Sequence, residues 1–387
     1  MHNRYRQPGG EDRVFEQERA LLAEAGHQTI SYERSNHEIE AAGIGKLILI
    51  KNTIWASGTK RAFSEILKRE KPDIVHVHNT FFVISPSIYS ACREAGVPVV
   101  QTLHNFRLLC PAAEFAREGK VCEECVEHSV WRGVRYGCYQ GSRATTAAMA
   151  TTLTFHRALG TWSGGIDRYI ALSEFSRAKF IAGGLPAHKI SIKPNFVSPD
   201  PGPGTGQRSY ALFAGRLPRV KGVQTLLEAW EKLDGRIPLQ IVGDGPERAQ
   251  LEADARRRNL KNVIFRGRLP NHETIAVMQN ARFLVFPSEW YENFPVTIAE
   301  AFACGTPVVC SRLGAMPEIV SDGRTGLHFT AGDAEDLSRK AAYAWDHPDE
   351  LSTMGQRARQ EYLTKYTAQA NYSQLMSIYE NAIASYI

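Results

Sequence analysis

An α/β chain folded as two doubly wound domains facing a cleft is what the sequence predicts, and three observations predict it. Short apolar runs rich in β-branched residues alternate with helix-like stretches, the runs fall into two sets, and a Pro- and Gly-rich seam divides the sets. In the first set, Asp73-Ile-Val-His-Val-His78 reads as a strand. Pro98-Val-Val-Gln-Thr-Leu-His104 is the next, after a helix over Ser87–Ala95 that Gly96 stops, and Arg168–Leu172 and Lys189–Lys193 follow. The second set is Tyr210–Ala214, Leu239–Val242, Asn262–Phe265, Phe283–Phe286 and Pro307–Cys310. Strands buried on both faces read as continuous apolar runs, and alternation with helices implies parallel sheets. The seam at 195–209 holds Pro199, Pro201, Gly202, Pro203, Gly204 and Gly206, which is linker composition. The domains are therefore expected at 1–200 and 201–368. A last helix over 369–387 is placed as crossing back to the first domain. Ligands of doubly wound sheets sit at the carboxyl ends of the strands, so two such domains would enclose a small-molecule site.

Composition narrows the function classes. Of 387 residues, 43% are hydrophobic and 22% charged, ordinary globular usage that excludes collagen-like, disordered and disulfide-scaffold chains. The formal charge of +5 suits an anionic small molecule or a membrane surface and does not call for a nucleic-acid partner. No run of apolar residues is long enough to span a bilayer. Arg4, Arg6, Glu11 and Asp12 make the N-terminus unlike a secretory signal, so a cytoplasmic protein is expected, with peripheral contact at the inner membrane face as the further option. Seven cysteines in that compartment are thiols or metal ligands before they are disulfides.

Two motifs carry the chemistry. Gly215-Arg-Leu-Pro-Arg-Val-Lys-Gly222 follows a strand and precedes a helix that should begin near Val223. Arg216 and Lys221 there offer two cations beside the free amides of a helix entrance, which is what a diphosphate needs. The plainer reading is a surface loop with solvated cations. In Trp290-Tyr-Glu-Asn-Phe-Pro-Val-Thr-Ile-Ala-Glu300, Pro295 suits the first helical position. Glu292 then lies in the loop, Glu300 lies in the helix, and the amides of Asn293 and Phe294 face an anion. Carboxylates accept hydrogen bonds well from sugar hydroxyls. A favourable first-turn charge explains Glu292 alone. It does not explain a glutamate inside the apolar stretch Ile298–Phe302, where a buried carboxylate needs partners.

Together, Gly-Arg-Leu-x-x-x-Lys-Gly, Glu-x7-Glu and Ala-Cys-Gly-Thr-Pro-Val-Val resemble the retaining, nucleotide-sugar-dependent glycosyltransferases of the GT-B fold, specifically their group 1 (family 4) class. The resemblance extends to Val242-Gly-Asp-Gly-Pro-Glu247, Phe265-Arg-Gly267, Ile192-Lys-Pro-Asn195 and Pro8-Gly-Gly-Glu11. It implies two Rossmann-like domains and transfer of a hexosyl unit from a nucleoside diphosphate sugar to a saccharide or lipid-linked acceptor hydroxyl. It also implies retention by front-face attack, with no enzyme nucleophile. By the same resemblance Arg216 and Lys221 would bind the diphosphate, with Gly215 in their loop, and Glu300 would hold the ribose. Glu292 would contact sugar hydroxyls near the Asn293 and Phe294 amides. Gly243 and Gly245 would admit the nucleotide, and Arg266 to Leu269 would flank its base through the main chain. Gly9 and Gly10 would form the loop facing the phosphates, and His104 matches the family's histidine near the donor sugar. His76 and His78 share one strand face and read as structural or as supporting a neighbouring site residue, rather than as a metal pair. Two departures stand out. The apolar strand that usually precedes the Gly-Gly loop is missing or severely shortened, and Val220 replaces a common acidic residue.

Cys110, Cys122, Cys125 and Cys138 form an insert spanning about 105–142, with spacing Cys-x11-Cys-x2-Cys-x12-Cys. A Cys-x2-Cys knuckle with two outer thiols can close a tetrahedral Zn²⁺ site, and a Gly-rich segment without a core needs a staple. Structural zinc is the expectation, ahead of free thiols and then disulfides. Cys92, Cys304 and Cys310 read as packing. With no Asp-x-Asp pair, the catalytic chemistry is expected to be metal-independent, Arg216, Lys221 and the helix entrance neutralising the leaving diphosphate. Arg143, Arg157, Arg177 and Lys179 are candidates for a basic face toward anionic lipid, although solvated charges are the commoner meaning. Residues 144–155 read as a buried helix. A nucleotide-sugar epimerase of the same fold is the alternative, and a zinc-stapled nucleic-acid-binding protein is the distant third.

Overall fold

The computed structural model describes residues 1–5, 9–38 and 51–386, so Pro8 of the N-terminal motif lies outside the described residues. The strands in chain order are β1 (His2–Arg4), β2 (Glu33–Ser35), β3 (Val75–Val77), β4 (Val99–Thr102), β5 (Ala116–Arg117), β6 (Lys120–Val121), β7 (Arg168–Ala171) and β8 (Ile190–Ile192). They continue with β9 (Tyr210–Ala214), β10 (Leu239–Val242), β11 (Val263–Gly267), β12 (Ala281–Phe286), β13 (Val308–Ser311) and β14 (Gly326–Phe329). The chain divides into two compact units. The first comprises Met1–Phe115, Cys122–Pro194 and Asn371–Ile387, and the second Ala116–Val121 and Asn195–Ala370.

In the first unit β3, β4, β7 and β8 form a parallel sheet in that order, and β1 pairs in parallel with β2. All four residues of β4 are buried, as a strand covered on both faces requires. The helix Ala368–Ala384 covers β4 and β7: Leu375, Ile378, Tyr379 and Ala382 recur at helical spacing and pack on Val100 and Ile170. In the second unit six parallel strands run β11-β10-β9-β12-β13-β14. Helices Val223–Lys232 and Ala334–Asp346 close one core around Phe213, Trp230, Ile241 and Phe283, all essentially inaccessible. Trp230 satisfies its indole N–H on the Ile237 carbonyl at 2.8 Å.

By its internal contacts the chain divides at Pro194/Asn195, where the Pro- and Gly-rich seam begins. The insert is divided, because the β5–β6 hairpin groups with the second unit, where Gly119 lies against the Arg219 side chain. The first strand is severely shortened, as expected: it is three residues long, and it is polar. His2 and Asn3 are buried and hydrogen-bonded, His2 Nε2 to Asp12 at 2.8 Å and Asn3 Nδ2 to Asn36 at 2.9 Å. The chain at Met1 also bonds to β3, its terminal ammonium donating to the His76 carbonyl at 2.8 Å. Pro295 caps its helix, which begins at Val296. The helix over 144–155 runs Arg143–Ala158 and is half-buried, with Phe155 exposed. Of the expected basic face, Lys179 is paired with Glu123 at 2.6 Å and Arg177 lies 3.6 Å from Glu174. Among the described residues no helix is long and apolar enough to cross a membrane.

Candidate active site

The second unit assembles its site from strand ends. β9 leads into the loop 215–222, and β10 leads into Gly243-Asp-Gly245. These loops are packed backbone to backbone. The Gly215 amide donates to Val242, and the Leu217 amide donates to Asp244. A Cβ on Gly243, at φ +146°, would sit 1.8 Å from the Gly215 oxygen, and one on Gly245 would sit 2.7 Å from the Leu217 nitrogen. The motif glycines are therefore required by loop-on-loop packing. Gly222 is also left-handed, at φ +68°, and approaches the Pro287 carbonyl where no side chain fits. It caps the helix at Val223, where the sequence places the helix start.

This folding delivers Lys221 to Glu292. The ammonium lies 2.5 Å from Glu292 Oε1, and it rests over the rings of Phe286 and Trp290 at 5.2 and 5.5 Å. Ser288 Oγ at 2.7 Å and Trp290 Nε1 at 2.6 Å donate to the same Glu292 oxygen. Glu292 is thus held by two donors from one loop and one cation from another. The pair is shielded but reachable, with side-chain exposures of 18% for Lys221 and 10% for Glu292. Arg216 is exposed. Glu300 is buried inside Val296–Ala303 and accepts from Asn271 Nδ2 at 3.1 Å, the kind of partner its burial demands. Asn293 is buried just ahead of this helix, and so is Phe294, whose ring packs on Tyr366 at 5.4 Å. Arg266 stands apart from this group: its guanidinium Nε reaches across to Gln240 on β10 at 3.1 Å.

In the first unit Gly9 caps the helix Gly10–Glu24, its amide donating to Asp12 Oδ2 at 2.7 Å, and Gly10 has open space around it. His104 follows β4. Its Nε2 meets His78 Nδ1 at 2.9 Å, with the rings stacked. Burial, then nearby His2 and Lys193, lowers the His104 pKa to about 3, so the ring is neutral at ordinary pH. Burial also pushes Glu11 up to about 8, although Asn105 donates to it at 3.1 Å. His76 holds Tyr379 and Thr102 hydroxyls at 2.7 and 2.8 Å, matching the structural reading. The sequence reasoning missed Ser288, Trp290 and Asn271, and also Glu18 and Lys193, a pair behind His78 with contact at 2.5 Å. Ser288 and Trp290, four and two residues before Glu292, carried a local signal; Glu18 and Lys193, 175 residues apart, carried none.

Ligand atoms of Glu18, His76 and His78 come within 4.8 Å of one another, yet the Lys193 ammonium already occupies the carboxylate, which disfavours a second cation there. Of the four insert cysteines, two are in direct contact. Cys110 and Cys125 meet through a thiol–thiol hydrogen bond, which lowers Cys110 to about 6 and raises Cys125. Among the described residues no three cysteine sulfurs lie within 4.8 Å of one another. Cys92, Cys304 and Cys310 are buried, as packing residues should be.

Comparison with known proteins follows the same division. Residues 8–201 match the family described as Glycosyltransferase Family 4, and residues 202–361 match Glycosyl transferases group 1. A D-rhamnosyltransferase, WbpZ, of Pseudomonas aeruginosa is 32% identical over 161 residues, covering 41% of this chain and 42% of that protein. A glycogen synthase of Mycobacterium tuberculosis is 28% identical over 319 residues, covering 80% and 69%. The chain spans about half the length of the first relatives it matches. Among solved structures, Anabaena HepE in complex with UDP superposes with a TM-score of 0.70 at 17% identity, covering 98% of this chain and all of that one. A sucrose-phosphate synthase from Thermosynechococcus elongatus gives 0.68 at 19% identity, covering 100% and 96%. The α/β fold with its parallel sheets is that of these GT-B structures, and the chain belongs to the group 1, family 4 glycosyltransferases.

Proposed function

We propose that this protein transfers a hexosyl unit from a nucleoside diphosphate sugar to an acceptor hydroxyl, with retention at the anomeric carbon, in the making of a surface polysaccharide or glycolipid. The observation that carries the reading is the Lys221–Glu292 pair at the mouth of glycine-built loops. A diphosphate entering beside Arg216 would compete with Glu292 for Lys221, and the displaced carboxylate would turn to sugar hydroxyls. Arg216, Lys221 and the amides ahead of Val296 would meet the charge that develops on the leaving phosphate, so no metal is required for that step. Glu300 with Asn271 would take the ribose hydroxyls. His104, as a neutral ring, would accept a hydrogen bond from a sugar hydroxyl. Relatives named as an O-antigen mannosyltransferase and a D-rhamnosyltransferase support a saccharide or lipid-linked acceptor. HepE, solved with UDP and with UDP-glucose, supports a nucleotide-sugar donor.

A thermal-shift panel of UDP-, GDP- and ADP-sugars tests the donor, since a ligand bound only by the folded state raises apparent stability. Release of nucleoside diphosphate should then require an added acceptor and survive EDTA. Release that ignores the acceptor would point to an epimerase and remove the transferase reading. The structural-zinc reading of the insert rests on its cysteine spacing and the Cys110–Cys125 contact. Metal analysis of protein purified without chelator should find one zinc per chain, and finding none refutes it.

A further inference from the structure

Behind His104 lies a line of side chains that decides which of its nitrogens carries the proton. Lys193 is completely buried, and its ammonium holds Glu18 Oε1 at 2.5 Å and Asn371 Oδ1 at 3.3 Å. The two side chains form a sealed ion pair. The other oxygen, Glu18 Oε2, is buried and receives no hydrogen bond. Two histidine nitrogens are near it, His78 Nε2 at 3.5 Å and His76 Nδ1 at 3.8 Å. His76 is already committed on both sides, Nδ1 to the Tyr379 hydroxyl and Nε2 to the Thr102 hydroxyl. The proton that faces the carboxylate therefore belongs on His78 Nε2.

A neutral imidazole carries one N–H and one lone pair. With its proton on Nε2, His78 presents a lone pair at Nδ1, and the partner at 2.9 Å is His104 Nε2. His104 must donate across that contact. Its remaining nitrogen, Nδ1, is then an acceptor. Burial of both rings keeps them neutral, and Lys193 adds to the effect on His104. His2, which stacks on Phe15 and pairs with Asp12, lies edge-on to His78 and completes the shell.

We propose that Glu18 and His78 are positioning residues that fix His104 as its Nε2–H tautomer, leaving Nδ1 as a hydrogen-bond acceptor for a hydroxyl of the donor sugar. The inference rests on the donor-site reading for the identity of that hydroxyl. The tautomer itself does not depend on it. The structural role of the Glu18–Lys193 pair is then twofold: it neutralises a buried cation and it polarises the hydrogen-bond line that ends at His104.

Long-range ¹H–¹⁵N correlation spectra of the histidine rings in the donor-free protein read the tautomer directly, with His104 assigned by its loss in His104→Gln. The expected result near neutral pH is the Nε2–H form. A predominant Nδ1–H form overturns the proposal on the unaltered protein alone. In His78→Phe the acceptor is gone, so His104 should become a tautomer mixture and kcat/KM for the donor should fall about tenfold or more. His78→Asn can accept from His104 through its amide oxygen and should restore both the tautomer and most of the rate. An unchanged tautomer in His78→Phe also overturns the proposal. If the tautomer is as expected while no sugar nucleotide is turned over, the positioning stands and the glycosyl-transfer reading falls.

Discussion

Two lysine–glutamate pairs, each closed at 2.5 Å, sit in different units and are built for opposite ends. Lys193–Glu18 in the first unit is sealed, with exposures of 0% and 2%. Lys221–Glu292 in the second keeps 18% and 10%, at the mouth of loops that begin at strand ends. A sealed pair cannot trade its partner for a ligand, because both charges would have to be desolvated alone. A shielded but open pair can, because a phosphate replaces the carboxylate and the carboxylate finds hydroxyls. The same two functional groups thus serve as a lock in one place and as an exchangeable clasp in the other, and burial decides which.

The sharpest way to break the contrast is to remove one member of the sealed pair. Lys193→Met leaves Glu18 buried without its cation and should cost about 3–5 kcal/mol of stability by denaturant unfolding, whereas Glu18→Leu with Lys193→Met should recover most of that loss. Equal losses in the single and double variants would mean the pair is not acting as a unit.

Acid should reach the first unit before the second. The folded pKa of His104 is about 3, below its ordinary 6.5, so the unfolded chain takes up a proton that the folded chain refuses. Its contribution is intact above pH 6.5 and is lost as pH falls toward 3, at about 1.4 kcal/mol per pH unit in that window. His76 and His78, also lowered by burial, steepen the slope. Stability measured against pH in the His104→Gln variant should show a shallower acid limb, and superimposable limbs would contradict the assignment.

In the second unit the loop packing gives a smaller effect. Gly243→Ala pushes a methyl into the Gly215 oxygen at 1.8 Å and should destabilise by about 1–3 kcal/mol, with weaker nucleotide binding because the two loops part. Smallest is the stability effect of Lys221→Ala. An accessible pair contributes little to folding, so its unfolding free energy should move by less than about 1 kcal/mol.

How much was legible follows from how each feature is stabilised. Apart from β11 at the sheet edge, the strands of the second unit are apolar runs with buried faces, and β9 and β10 have the bounds the sequence implies. Glycines forced by close backbone approach leave a motif, so the 215–222 loop and the Glu292 region stood out. β1 did not, because His2 and Asn3 are buried through hydrogen bonds rather than hydrophobicity. Glu18 was hidden for a related reason: it is one of several charged residues in helix Gly10–Glu24, and its burial goes with a tertiary pairing to Lys193 that local sequence does not show. The cysteine spacing was visible, whereas its assembly was not, since spacing constrains reach and not which thiols meet.

The central claim is that Lys221 grips the donor diphosphate. Calorimetric titration of the protein with the nucleoside diphosphate selected by the thermal-shift panel, beside Lys221→Ala, tests it most directly. The account predicts a Kd weakened at least about tenfold, on the order of 1.4 kcal/mol, with folding intact. Equal affinity in the two proteins would contradict it.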